Sequence, residues 1–181
     1  MPNVKPNPKK LKRVSAKVDN TGFLDYIMIA HHQDLITFPV RPDLAATTTY
    51  KAFATATGTF GTDPVWSRID IKRGSLKVNS KNLGTLADSS AVETTVSLGL
   101  DSDEDTLGFI EMYKRCEVHI VLPKTNGKMV WVGHKEAPAT MQEFSGEEGL
   151  EKTSEEIVFV TKPFARIYLP DAIVITPVVE A

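Results

Sequence analysis

The sequence has a single cysteine, Cys116, among 181 residues, so no internal disulfide framework can form. A reducing compartment is the simpler expectation. Long apolar runs are also missing. The longest uninterrupted one is Tyr26–Ala30 (YIMIA), far below the roughly 20 residues of a membrane-spanning helix. The N-terminus is basic but lacks the apolar centre of about 7–15 residues that a signal peptide needs. The chain is therefore expected to be soluble and made in the cytosol. A net charge of −2 excludes nucleic-acid binding driven by bulk charge. There is no low-complexity block and no short internal repeat.

Catalytic signatures are absent in the same way. The chain has no G-x-S-x-G elbow, no G-x-x-x-x-G-K-[ST] phosphate loop, no G-x-G-x-x-G and no H-E-x-x-H. Asp101, Asp103, Glu104 and Asp105 lack the glycine and the terminal glutamate of a calcium loop and read as helix N-terminal acids. Cys116 falls at the end of an apolar helical stripe, where burial favours an inert thiol over a nucleophile. Nothing in these patterns reads as an enzyme, and no cofactor or metal is implied.

Charge is present but unevenly spread. Residues 1–20 carry six Lys/Arg (Lys5, Lys9, Lys10, Lys12, Arg13 and Lys17) against the lone acid Asp19, with prolines at positions 2, 6 and 8. Such a segment forms neither a helix nor a central strand by itself. It reads as an arm, residues 1–19, disordered alone or laid extended on a neighbour. By contrast, Lys135–Glu156 holds seven glutamates against two lysines. Solvated surface charge is the default reading of both stretches, and head-to-tail self-association is the alternative. Phosphate contact by the arm lysines is less favoured, because no aromatics are interleaved with them.

Residues 20–181 read as one domain, and its signals are β. Leu35–Val40 is short and apolar, and Thr47–Phe60 is rich in threonine and aromatics. Ile69 and Ile71 alternate with charged residues, and Val92, Thr94, Val96, Leu98 and Leu100 recur at every second position. Val118, Ile120 and Leu122 repeat that pattern, and Ile157–Thr161, Ala165–Leu169 and Ile173–Ile175 follow, punctuated by Pro163, Pro170 and Pro177. One helix is expected over about 103–116. Ser102 would cap it, and Phe109, Met112, Tyr113 and Cys116 would form its buried stripe. The fold class is therefore mainly β: a β-sandwich or barrel flanked by one short α-helix, with an extended N-terminal arm.

The clearest hairpin is VHIVLPKTNGKMVWVGH, Val118–His134, in which Asn-Gly separates two apolar runs. With Asn126-Gly127 as a two-residue turn, Leu122 opposes Trp131 and His119 opposes His134. Leu122 and Trp131 would then join Val118 and Ile120 on the core face, leaving His119 and His134 with Val121 and Val132 on the other. A zinc site needs a third or fourth ligand. Glu117 and Glu136 are near in sequence, but no ligand-spaced motif backs them, so two half-exposed histidines on an outward or inter-subunit face are expected. His31 and His32 would point to opposite faces of a strand and make no site by themselves.

The order of elements completes the reading. Threonine-rich strands precede one short helix, then EVHIVLPKTNGKMVWVGHKEAPATMQEFSGEEGL and closing strands. This layout, from about Thr47 to Ile175, resembles the tail tube (major tail) proteins of tailed bacteriophages, with VWVGHKEAPA and the glycines of Ser145-Gly146 and Gly149 as the local echo. The resemblance implies a structural virion protein that forms hexameric rings. Their sheets join into an inner barrel, and the rings stack into a tube that passes DNA without binding it specifically. It implies other tail proteins as partners, and synthesis in the host cytoplasm before incorporation into the virion tail. Lys9, Lys10, Lys12 and Arg13 of one subunit would meet Glu143, Glu147 and Glu148 of another. Two other classes stay open. One is a related tube component, such as a tail terminator or the inner tube of a contractile system. The other is a β-barrel module binding nucleic acid or sugar through Tyr50, Phe60 and Trp66.

Overall fold

The alternation that runs from Val92 to Leu100 is a strand whose Thr94, Val96, Leu98 and Leu100 side chains are buried. The computed structural model describes residues 22–39, 66–83, 91–148, 153–163 and 166–169, and within these the protein is mainly β with one α-helix. The elements are β1 (Tyr26–His31), a 3-10 turn (His32–Asp34), β2 (Ser67–Asp70), β3 (Lys77–Asn82), β4 (Val92–Leu100), α1 (Glu104–Tyr113), β5 (Glu117–Pro123), β6 (Met129–Val132), β7 (Ala139–Glu148), β8 (Thr153–Thr161) and β9 (Ile167–Tyr168). The expected arm and the expected strands at Thr47–Phe60 and Ile173–Ile175 lie outside the described residues. Among the described residues, no helix is long and apolar enough to cross a membrane.

All the strand pairs are antiparallel, and the strands branch at β5. One arm of the sheet runs β2-β1-β5-β6-β9 and the other β7-β8-β4-β3. β6 and β7 pair with successive stretches of β5, Ile120–Pro123 and then Glu117 and Val118, separated by the tight His134–Ala137 turn. The chain thus passes from one layer to the other at that corner. The two layers enclose a core that includes Ile27, Ile29, Val96, Leu98, Ile120, Leu122, Ile157 and Phe159. Fully burying an aliphatic or aromatic side chain of this kind contributes roughly 1.5–3 kcal/mol each. At the open ends, the Arg166 Nη1 donates to the Val78 carbonyl of β3 at 2.9 Å, drawing the sandwich toward a barrel.

β1, β5 and β6 have a second apolar face. Met28, Ala30, Val121 and Trp131 pack there against Leu35, Trp66, Ile167 and Leu169. Trp66 meets Trp131 edge-on, with ring centroids 5.4 Å apart. Every residue from Val118 to Pro123 is therefore buried.

The hairpin between β5 and β6 corrects the expected register by one residue. Lys124 pairs with Lys128, the Lys124 N–H donating to the Lys128 carbonyl at 2.8 Å, and three residues form the loop. Only Gly127 takes a positive φ, +78°. Asn126 instead accepts the Lys128 N–H on its side-chain oxygen at 3.2 Å. A turn closed by one left-handed residue is the usual three-residue hairpin loop. In consequence Leu122 opposes Val130 and Val121 opposes Trp131. Trp131 lies on the second apolar face and Val132 in the main core, the reverse of the expectation.

The helix is shorter than expected. Its cap is Asp103, whose Oδ1 accepts the Thr106 N–H at 2.7 Å. That hydrogen bond holds the Asp103 carboxyl below its ordinary range. Ser102 is not the cap, because its hydroxyl donates to Glu155 Oε1 at 2.9 Å. The buried stripe is Ile110 and Tyr113, while Met112 is 65% exposed. Cys116 lies past the helix, half-buried, with its thiol directed to the Met112 carbonyl.

Candidate assembly surface

β7 and β8 form the longest hairpin of the fold, pairing from Thr140 opposite Val160 to Glu148 opposite Thr153. β7 also pairs with β5, but only through Ala139 and Thr140. Beyond them its outer edge, Met141 to Glu148, has no strand partner among the described residues. At about 3.3 Å per residue this open edge is on the order of 26 Å long. An unpaired edge of that length presents backbone donors and acceptors ready to pair with another chain.

A bulge at Gln142 sets which side chains the edge displays. Met141 opposes Phe159, and Glu143, not Gln142, opposes Val158. The shift puts Phe144 opposite Ile157, on the face that becomes the core lower down the strand. There Phe144 is 53% exposed, although Ile157 opposite it is fully buried. Glu143 falls on the opposite face and is exposed. Farther along, Gly146 opposes Glu155, which is buried. The Glu155 carboxylate lies over Gly146, in space that a β-carbon would fill, and Ser102 holds it there.

Between this edge and the end of α1 lies a groove of about 240 Å³, lined by Lys114, Arg115, Met141, Gln142, Glu143 and Phe144. Lys114 is paired with Glu111. Exposed apolar, acidic and basic groups thus stand side by side along an open strand, a composition suited to docking a protein segment by strand addition. A second cleft, about 490 Å³, opens between the 3-10 turn and the end of α1, lined by His31, Gln33, Asp34, Arg115, Cys116 and Glu117.

Of the residues expected at an assembly interface, Glu143, Glu147 and Glu148 are brought onto one strand, β7, the last two opposite Ser154 and Thr153. Lys9, Lys10, Lys12 and Arg13 lie outside the described residues. Phe144 is an exposed residue of this edge outside the expected set; only the bulge, invisible in the residue pattern, reveals its face. Of the three aromatics that a binding platform would need, Trp66 is buried at 6% exposure, in keeping with the favoured reading of them as core or interface, and Tyr50 and Phe60 lie outside the described residues.

The two histidines of the hairpin are also rearranged. His119 opposes Gly133, is fully buried and bonds His32: its Nε2 is 2.9 Å from His32 Nδ1. His134 closes the next turn, its N–H and carbonyl both bonded to Ala137. Burial, reinforced by the neighbouring His32 and His134, pushes the His119 imidazole down to about 3. Among the described residues, no group of three or more His, Cys, Asp or Glu is placed to hold a metal ion.

No protein-family model matches the chain, and neither does any curated protein or solved structure.

Proposed function

We propose that the chain is a structural subunit that self-assembles through its sheet edges into rings, and that the rings stack into a tube of the tailed-phage tail-tube kind. The observation that carries this reading is the open edge of β7, Met141 to Glu148, with Phe144 exposed on it and Glu143 beside it. Edge pairing between copies would continue one subunit's sheet into the next. The acidic residues that share the strand would face a lumen or a neighbouring ring, where negative charge repels DNA in transit and attracts the basic arm of another copy. Sixfold symmetry, other tail proteins as neighbours and residence in the virion tail come from the resemblance in element order. In this reading the protein performs no catalysis and needs no cofactor.

The test is the oligomeric state of the purified full chain, by sedimentation and negative-stain imaging over a range of concentrations. Rings or tubes are expected. Deleting residues 1–18 should leave rings that no longer stack, because the Lys5–Lys17 cluster is gone. A protein that stays monomeric at every concentration overturns the reading, and normal tubes from the truncated chain overturn the role of the arm.

A further inference from the structure

Part of the outer face of β1, β5 and β6, beside Trp66, Ile167 and Leu169, is closed by a short piece of chain. After β1 the 3-10 turn sends residues 32–39 back across it, burying Leu35 and Pro39. One polar contact beneath that segment is the His32–His119 pair, 2.9 Å between ring nitrogens. Phe38 packs on both rings, at 5.1 Å from His32 and 5.2 Å from His119. On its other side His119 meets Trp131, centroids 5.1 Å apart, and Gly133. β1 contributes Ala30, directly opposite His119. The titratable groups that bear on His119 are His32 from the turn and His134 from beyond β6. Among the described residues neither ring of the pair bonds a carboxylate.

One proton serves this contact. The Nδ1 of His119 is buried without a hydrogen-bond partner. A lone pair is the less costly atom to strand there, so His119 carries its proton on Nε2 and donates it to His32 Nδ1. His32, half-buried, is the ring that solvent reaches first. A proton arriving on its Nδ1 removes the acceptor. The contact can then be remade only if His119 accepts, which moves the His119 proton to Nδ1, against Gly133 and without an acceptor. A second proton makes two facing cations beneath Phe38.

We propose that the His32–His119 pair is an acid-sensitive latch: protonation releases residues 32–39 from the outer face of β5 and β6 and exposes the apolar surface around Trp131 and Val121. The direction follows from linkage. The neutral imidazole of His119 is favoured in the fold, so the latch holds fully above about 6.5, the ordinary value for the unfolded chain. It weakens as pH falls from there toward about 3. For one proton, the opened population rises by up to roughly tenfold per pH unit in that window.

Both tryptophans of the chain, Trp66 and Trp131, belong to this face, so acrylamide quenching of tryptophan fluorescence reads it directly. Quenching is measured on the full chain from pH 7.5 to 4.5, with hydrogen exchange of residues 32–39 corrected for its intrinsic pH dependence. Both should increase below about pH 6.5 while amides of β4 and β8 stay protected. His32→Gln keeps an acceptor for His119 and removes the imidazole that faces it, and should lessen the opening at pH 4.5. His119→Gln should flatten the profile; if that buried change unfolds the protein, His32→Gln decides. A His32→Gln profile equal to wild type overturns the latch. So does exposure of residues 32–39 only in step with loss of protection in β4 and β8.

Discussion

Gly133 lies directly under the imidazole of His119: a β-carbon on Gly133 would stand 2.7 Å from Nδ1. The same glycine holds φ at +111°, a conformation that side chains with a β-carbon rarely adopt. Two constraints therefore meet at one residue, and both follow from the hairpin register that puts residue 133 across from residue 119.

Gly133→Ala should accordingly destabilise the fold by about 2–4 kcal/mol, combining backbone strain with overpacking against a buried ring. Urea unfolding followed by tryptophan fluorescence measures it. A midpoint corresponding to less than about 0.5 kcal/mol of change would mean that His119 does not sit on Gly133. His119→Ala in the same chain should relieve the ring clash and leave only the strain, so the two changes should prove non-additive.

The contrast between β4 and β5 shows what the residue pattern carried and what it hid. β4 has one core face and one partly open face, so its alternation announced a strand. β5 is buried on both faces, and VHIVLP reads the same whether His119 faces water or a second core. The Asn-Gly pair suited two loops, of two or three residues, and one extra loop residue moved Trp131 to the opposite face of its strand. β7 was concealed by its own bulge, because the apolar phase changes between Met141 and Phe144 where Gln142 is inserted. Helix α1 was legible in place but not in its cap, since Ser102 and Asp103 both qualify and only the position of Glu155 decides between them. The acids of the candidate surface were legible as composition, but not their convergence on one strand, β7, whose outer edge has no partner among the described residues.

Glu93 offers a pH-dependent test of the layer β3-β4-β8. It sits on β4 at 9% exposure. Lys81 from β3 and Lys162 from the end of β8 each reach its carboxylate at 2.6 Å. The hydrogen bond from Lys162, then that from Lys81, holds the Glu93 carboxyl below its ordinary 4.5. A lowered value in the fold means that the stabilisation is complete above about 4.5 and disappears as pH falls through the folded value. Glu93→Gln should therefore lower the unfolding midpoint more at pH 7 than at pH 3. Equal losses at both pH values would show that packing, and not the ion pairs, is what Glu93 contributes.

Phe144 separates folding from assembly. It lies on the open edge of β7 at 53% exposure, so replacing it removes little buried surface from the single subunit. If copies join along this edge, the same ring becomes buried in every contact, next to the groove lined by Lys114 and Arg115. A lysine on an edge strand is the substitution that most directly discourages strand pairing, because its charge would have to be desolvated with each partner added. Phe144→Lys should change the unfolding free energy of the isolated subunit by no more than about 0.5 kcal/mol. Sedimentation velocity should meanwhile show rings replaced by monomers under conditions where the wild-type chain assembles. Wild-type assembly by Phe144→Lys would move the contact away from β7. A loss of stability above about 1 kcal/mol would instead place Phe144 among the residues that hold the hairpin to its own subunit.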